Sequence, residues 1–510
     1  MSRALAAWGV LAVAVAVLCA PLAAVTYLPF TDLPNHLARH YLAAHLAEIP
    51  ALQPYYGFED RVRPNSAVDL IRGLLGWDGD IYLFGRLIVG FYFVNLMVAM
   101  LVLNRVLWGR WSAWPVAGAL AAHSTALWFG FENFYTAIPF VLHGLSLWIG
   151  LAGRALALRT GALAAIAFVV YFMHIAAFGV MALVVACYEV GRRGRSLAGV
   201  AAAVFALVPP FLHFALVEAG EGAGHGSDWN YGNAAERFSV LASPFSRMPY
   251  WTLPRAEEAV ALFTILIVVL SLPVLWHRGF ARPHRDMVVP LGVLALFAVL
   301  MPEKVMGINI MQVRIPVIFA PLLFATLSWD VAPARLRAMA AVVVTALFAA
   351  KSWLNFAAWQ EHDRNTAALI EASAAIGDGA RVLGMATGPG EARNSEHHLL
   401  SYLLIERHAV IANLFHGANG VVIGEKWRHA SHPHIGTLQP ALLREALDAW
   451  EEGRDYEHPL AQTTFWKTWW RDFTHILSVE PVPQENPFPD MLREIASGPR
   501  FRIYEIVPPE

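Results

Sequence analysis

Long apolar runs separated by short polar segments dominate the first two-thirds of this chain. They fall near residues 5–28, 82–103, 113–130, 135–153, 161–173, 175–190, 197–217, 257–276, 287–301, 315–329 and 336–357. A helix needs about 20 mostly apolar residues to cross a bilayer, so the pattern predicts 11 spans. The run 161–190 could be one helix. However, Arg154 and Arg159 precede it and Arg192, Arg193 and Arg195 follow it, and positive clusters prefer one side of a membrane. Two short helices meeting at YFMH (Tyr171–His174) put both clusters on the same side. After Trp359 the composition turns polar. ARVLGMA (380–386), HAVIANL (408–414), THILSVE (474–480) and FRIYEIV (501–507) read as strands, and ALLREALDAWEEG (441–453) and DMLREIAS (490–497) as helices. Alternating strands and helices predict a small α/β domain. The expected division is therefore a transmembrane domain, 1–357, with a first outer loop at 29–81, and a separate domain, 358–510.

Composition agrees. The chain of 510 residues is 57% hydrophobic and 15% charged, with 18 tryptophans, as a membrane protein with interfacial aromatic belts should be. A formal net charge of −2 without a basic tail gives no case for a nucleic-acid partner. Cys19 and Cys187 both lie in apolar runs, which excludes a disulfide framework or a Cys-based zinc site in the polar segments. The first run is too long for a signal peptide and reads as a first span. With the N-terminus inside, the inner segments carry Arg3, Arg105, Arg110, Arg154, Arg159, Arg192, Arg193, Arg195, Arg278, Arg282, Arg285, Arg335 and Arg337, while the short outer turns carry only Lys304. This bias predicts an outer first loop and an outer C-terminal domain.

The densest polar chemistry follows the first span. PFTDLPNHLARHY (29–41) holds Asp32, Asn35, His36, Arg39 and His40 within nine positions. One reading makes Asp32 an N-cap, with Pro34 in the first turn. The other notes that His36 lies four residues on, on the same helical face, with Asn35 and Arg39 beside it. Ionisable groups at a membrane edge are costly and usually functional.

An Asp in the first outer loop, just after the first span, resembles the GT-C superfamily of membrane glycosyltransferases, which use polyprenyl-phosphate sugars. The helix pair around His174 is similar to that fold, and so is MQVRIPVIFAPLL (311–323), which begins with Arg, a hydrophobic residue and Pro on the outer side. The resemblance implies a mainly α polytopic membrane protein of about 11 transmembrane helices, interfacial helices at 36–75, and an extracytoplasmic C-terminal α/β domain.

It also implies a reaction. A sugar moves from a polyprenyl-phosphate lipid donor to a hydroxyl of a glycan, lipid or protein on the outer face of a bacterial-type inner membrane, with inversion. Asp32 is the candidate general base, assisted by His36, because partial desolvation strengthens a carboxylate as a base. Arg314 is the candidate for the departing phosphate, which a guanidinium grips bidentately. Its bland alternative is a snorkelling interfacial arginine. Lys304 and His174 are further candidates for phosphate or acceptor, Asn35 and Arg39 for substrate, and His225, Asp228, Trp229 and Tyr231 for sugar. No cofactor is required. A divalent cation would find only weak ligands in Asp78 and Asp80, with Glu59 and Asp60 upstream; such acids more often cap the next span. His429, His432 and His434 could bind zinc or simply be solvated. The competing function is a transporter or flippase for a glycan precursor, which mid-membrane charges would favour. A third is a scaffold with a degenerate enzyme fold.

Overall fold

The computed structural model describes residues 2–59, 63–192, 196–220, 231, 237, 240–246, 256–304, 310–386, 398–417, 420–431, 439–455, 465–479 and 485–508. The chain is a mainly α, polytopic membrane protein with a small sheet near its C-terminus. It divides into two compact units. The first comprises residues 1–24, 63–68 and 87–357, the second residues 25–62, 69–86 and 358–510.

Ten of the expected spans are single helices: Arg3–Ala24, Ile81–Trp108, Glu132–Gly150, Leu156–Met173, Ile175–Gly191, Leu197–Gly220, Ala256–His277, Val288–Leu300, Met311–Thr326 and Ala334–Ala372. Among the described residues six helices are long and apolar enough to cross a membrane by length and composition alone. Within the first unit the helix ends sort into two groups. At one end Asn104 and Trp108 donate to carbonyls of residues 325–327, His284 N donates to Thr326 O, and Arg110 pairs with Asp330. The buried Glu189 carboxylate joins that end, accepting from Arg159 and Arg192 at 2.8 Å each, while Gly191 packs on Val289. One arginine from each side of the run 161–190, Arg159 and Arg192, thus meets the same carboxylate, as two short helices require. At the other end, Asn133 receives Val68 N and donates to Asn65 O, Asn65 receives Ile175 N, and Ser66 N donates to Phe172 O.

The third span differs from expectation. Between these two ends the chain runs through a 3-10 helix, Trp114–Ala121, and a single turn, Thr125–Trp128. Irregular backbone at membrane depth needs internal partners for its polar groups, and here it has them. Tyr92 donates to Ala122 O, Lys351 donates to Leu120 O and Phe245 O at 2.7 and 2.9 Å, and Thr125 is bonded to Ser243 O and Ser246 O.

In the second unit a five-stranded sheet runs, in spatial order, Val410–Ile411, Arg381–Ala386, His475–Val479, Phe501–Ile506, Leu492–Gly498. The first three are mutually parallel and the last two add antiparallel. The expected helix at 441–453 is Pro440–Glu451. The expected helix at 490–497 is instead a strand, because Gly498 and the residues after it turn the chain back onto Phe501–Ile506, and Gly498 lies so close to the Phe501 ring that a Cβ would stand 2.3 Å from it. Residues 25–62 and 69–86, expected with the transmembrane domain, fall in the same unit as this sheet. The helix Leu33–His45 lies on the helix Leu400–Arg407, burying Leu33, Leu37, Ala38 and Leu42. Tyr56–Phe58 pairs antiparallel with Val421–Ile423.

Candidate functional site

Asp32 occupies the N-cap position of the helix Leu33–His45, and Pro34 stands in its first turn. Its side chain makes no capping hydrogen bond. Oδ1 lies 3.5 Å from Nε2 of His398, with Asp32 19% exposed and His398 3%. The carboxylate is therefore placed toward a side chain of the C-terminal domain rather than spent on the helix start.

Asn35, one turn on, is fully buried. Its Nδ2 donates to Asn413 O at 2.7 Å and lies 3.1 Å from His398 Nδ1, and its Oδ1 accepts from Phe415 N at 2.8 Å. Asn413 Nδ2 is 3.3 Å from the same His398 nitrogen. The Phe415 ring meets His398 at 4.9 Å and His36 at 5.4 Å. His398, Asn413 and Phe415 were not legible as site residues. The adjacent pair His397–His398 ahead of an apolar segment was the one signal in the sequence.

Arg39 and His40 face a different carboxylate. Arg39 Nη2 lies 2.9 Å from Asp69 Oδ2, and His40 Nδ1 lies 3.3 Å from Asp69 Oδ1. Burial alone would raise the Asp69 carboxyl, but Arg39 first, then His40 and His36, outweigh it and hold the group well below the usual carboxylate range.

In the first unit Arg314 lies one turn into the helix Met311–Thr326 and is buried. Its guanidinium stands 5.0 Å from the Phe131 ring and 5.5 Å from the Phe134 ring, and Nη1 reaches Met311 Sδ. His174 meets the same Phe134 ring at 5.0 Å and caps the helix Ile175–Gly191, accepting from Ala176 N. Arg314 and His174 therefore share a wall at the end of the unit where residues 63–68 bind. Lys304 precedes this helix and is partly exposed. A cavity of about 690 Å³ lies at the opposite end, among Ala6, Trp114, Trp329, Asp330, Arg337 and Phe348.

Asp80 caps the helix Ile81–Trp108, its Oδ1 accepting from Tyr82 N and Leu83 N. Asp78 is exposed. Among the described residues no three His, Cys, Asp or Glu side chains gather as a metal site. His429 pairs with Asp472 at 2.9 Å. His225, Asp228 and Trp229, as well as Asp60, His432 and His434, lie outside the described residues.

Neither a protein-family model nor a curated protein matches the chain. A solved structure does. The chain is similar to the crystal structure of ArnT from Cupriavidus metallidurans bound to undecaprenyl phosphate, with a TM-score of 0.50 and 13% identity over 98% of both chains. The chain has the fold of that ArnT structure. The similarity extends through the whole length, so it takes in the C-terminal sheet as well as the helices.

Proposed function

We propose that this protein is a polyprenyl-phosphate-dependent membrane glycosyltransferase with Asp32 as its general base. The observation that carries the reading is the Asp32 carboxylate. It stands at a helix start without capping it and is directed instead at a buried histidine. It does so in a chain with the ArnT fold, whose crystal structure holds undecaprenyl phosphate. In the reaction the acceptor oxygen attacks C1 of the sugar from the face opposite the phosphate. Its proton passes to Asp32 as the new O–C1 bond forms. The C1–O bond to phosphate breaks, and the electron pair leaves with the polyprenyl phosphate. One attack gives inversion. Arg314 takes up the charge gained by the leaving phosphate. A monophosphate leaving group needs only one or two cations, which side chains can supply.

The acceptor class is a hydroxyl-bearing glycan, lipid or protein. The basic bias of the inner segments favours a bacterial inner membrane with the N-terminus inside and the C-terminal domain outside. The deciding experiment gives purified, detergent-solubilised Asp32→Asn protein radiolabelled undecaprenyl-phosphate pentoses and hexoses, with a membrane extract as acceptor. Asparagine keeps shape and capping capacity but cannot take the proton. Transfer should fall by about 10²–10⁴-fold, the usual share of acid–base catalysis, with donor binding and unfolding temperature kept. Near-normal transfer would remove Asp32 from the chemistry.

A further inference from the structure

We propose that His398 is a positioning residue for Asp32, holding its carboxylate with a neutral Nε2–H donor whose tautomer is fixed by the buried Asn35 amide. The proposal rests on the reading of Asp32 as the base.

The orientation of the Asn35 amide comes first. One end faces a carbonyl, Asn413 O at 2.7 Å, and the other faces an N–H, Phe415 N at 2.8 Å. A flipped amide would set oxygen against oxygen and N–H against N–H, so the nitrogen and oxygen are assigned by their partners. Asn35 Nδ2 then has its second hydrogen available for His398 Nδ1, 3.1 Å away, and Asn413 Nδ2 approaches the same nitrogen at 3.3 Å. His398 Nδ1 is the acceptor, and the ring proton sits on Nε2. Nε2 is the atom 3.5 Å from Asp32 Oδ1.

The same amide keeps the ring neutral. An imidazolium would carry a proton on Nδ1, pointed at the Asn35 N–H donor. His398 is also 3% exposed and walled by the Phe415 ring, so water offers little relief. His398 therefore presents a dipole and not a cation to Asp32. A full positive charge at that distance lowers a carboxylate's pKa by about 1–3 units and weakens it as a base. Asp69 shows the contrast: it is paired with the permanent cation Arg39 and held well below the usual range. Titratable groups close to the pair along the chain include His36 on Asp32's own helix, with Arg39 and His40 beyond it on Asp69, and His416 next to Phe415 in the C-terminal domain. A neutral donor orients the base and leaves it basic.

Two substitutions separate this from a structural role. His398→Gln can place an amide nitrogen near Nε2 and keep the donor to Asp32. His398→Asn can place an oxygen near Nδ1, keeping the bond from Asn35, but drops the donor to Asp32. The probe is dicyclohexylcarbodiimide, which labels protonated carboxyls, applied to the full chain in detergent, with Asp32 labelling followed by peptide mass spectrometry across pH. His398→Asn should move the labelling midpoint up by about one unit and lower kcat with little change in KM. His398→Gln should stay near the wild type in both. The reverse order, or two equal variants, would overturn the proposal. Histidine C2–H exchange on the unmodified chain needs no variant: His398 should show no titration between pH 5 and 8, and a midpoint in that range would also overturn it. None of these labelling readouts needs sugar transfer, so failure of the base assignment, read from Asp32→Asn, remains distinguishable.

Discussion

Removing the Asn35 amide should loosen the segment around residues 413–415. In Asn35→Leu the side chain keeps its branched shape but strands the Phe415 N–H and withdraws a donor from the Asn413 carbonyl, while Asn413 Nδ2 stays 3.3 Å from His398 Nδ1. A stranded buried polar group costs about 1–3 kcal/mol. These two groups are adjacent and one water can serve both, so the low end applies, giving about 2 kcal/mol in all. At about 1.4 kcal/mol per tenfold, local opening should become about 30-fold more frequent. Hydrogen exchange read by mass spectrometry on peptides covering 409–417 would report it, because Asn35 Oδ1 is the acceptor for the Phe415 amide. Asn35→Asp is the sharper variant. It keeps the acceptor for Phe415 N–H but sets a carboxylate oxygen against Asn413 O and against His398 Nδ1, which would drive a proton onto that nitrogen. His398 should then begin to titrate near neutrality. Exchange within threefold of the wild type in Asn35→Leu, or an unchanged His398 in Asn35→Asp, would refute the bonding described here.

Other outcomes follow from the same geometry. Arg314→Ala should weaken binding of undecaprenyl phosphate by about 10–10²-fold, the range of one lost charge-assisted interaction, and Arg314→Lys should recover only part of it; unchanged affinity in both, by titration in detergent, would remove Arg314 from phosphate recognition. Asp69 is held below its unfolded value of about 3.9, so its stabilisation is present above about pH 4 and is lost as pH falls toward its folded value. Unfolding curves of Asp69→Asn should accordingly lie below the wild type at pH 7 and converge with it in acid. Gly424→Ala would bring a Cβ to 2.3 Å from Pro54 O, so the pairing of Tyr56–Phe58 with Val421–Ile423 should open, costing about 1–3 kcal/mol, with faster exchange at residues 55–58.

The elements that were legible in the sequence are those fixed by local composition. Apolar length alone located ten helices. The arginines flanking 161–190 split that run correctly because charge placement is a local cost. The strand at 490–497 was missed for a traceable reason. A bulge between Glu494 and Ala496 takes Ile495 out of register, which breaks the alternation that marks a strand and leaves spacing that suits a helix. Around Asp32 the limit was distance along the chain. Asn35 and His398 are 363 residues apart, and no pattern near either one names the other. The sequence supplied the carboxylate and its helix; only packing of the helix Leu33–His45 on Leu400–Arg407 supplied the histidine.

The interrupted third span has a similar origin and bears on the competing function. Residues 113–130 read as an ordinary span because apolar composition does not separate a 3-10 helix from an α-helix. What allows the interruption is Lys351, 231 residues away from the carbonyl it reaches at Leu120. A lysine inside a span is a functional candidate by default, and a transporter would use such a charge on its cargo. Here the buried Lys351 amine donates to two backbone carbonyls of its own fold, Leu120 O in the 3-10 helix and Phe245 O in a neighbouring turn. Replacing it would strand those carbonyls, so its charge is already engaged in holding backbone at membrane depth. The transporter reading depended on charge available at mid-membrane, and this lysine is not available. The Asp32 carboxylate stands at a helix start just beyond the first span in the sequence, with His398 beside it, where transfer chemistry would need it.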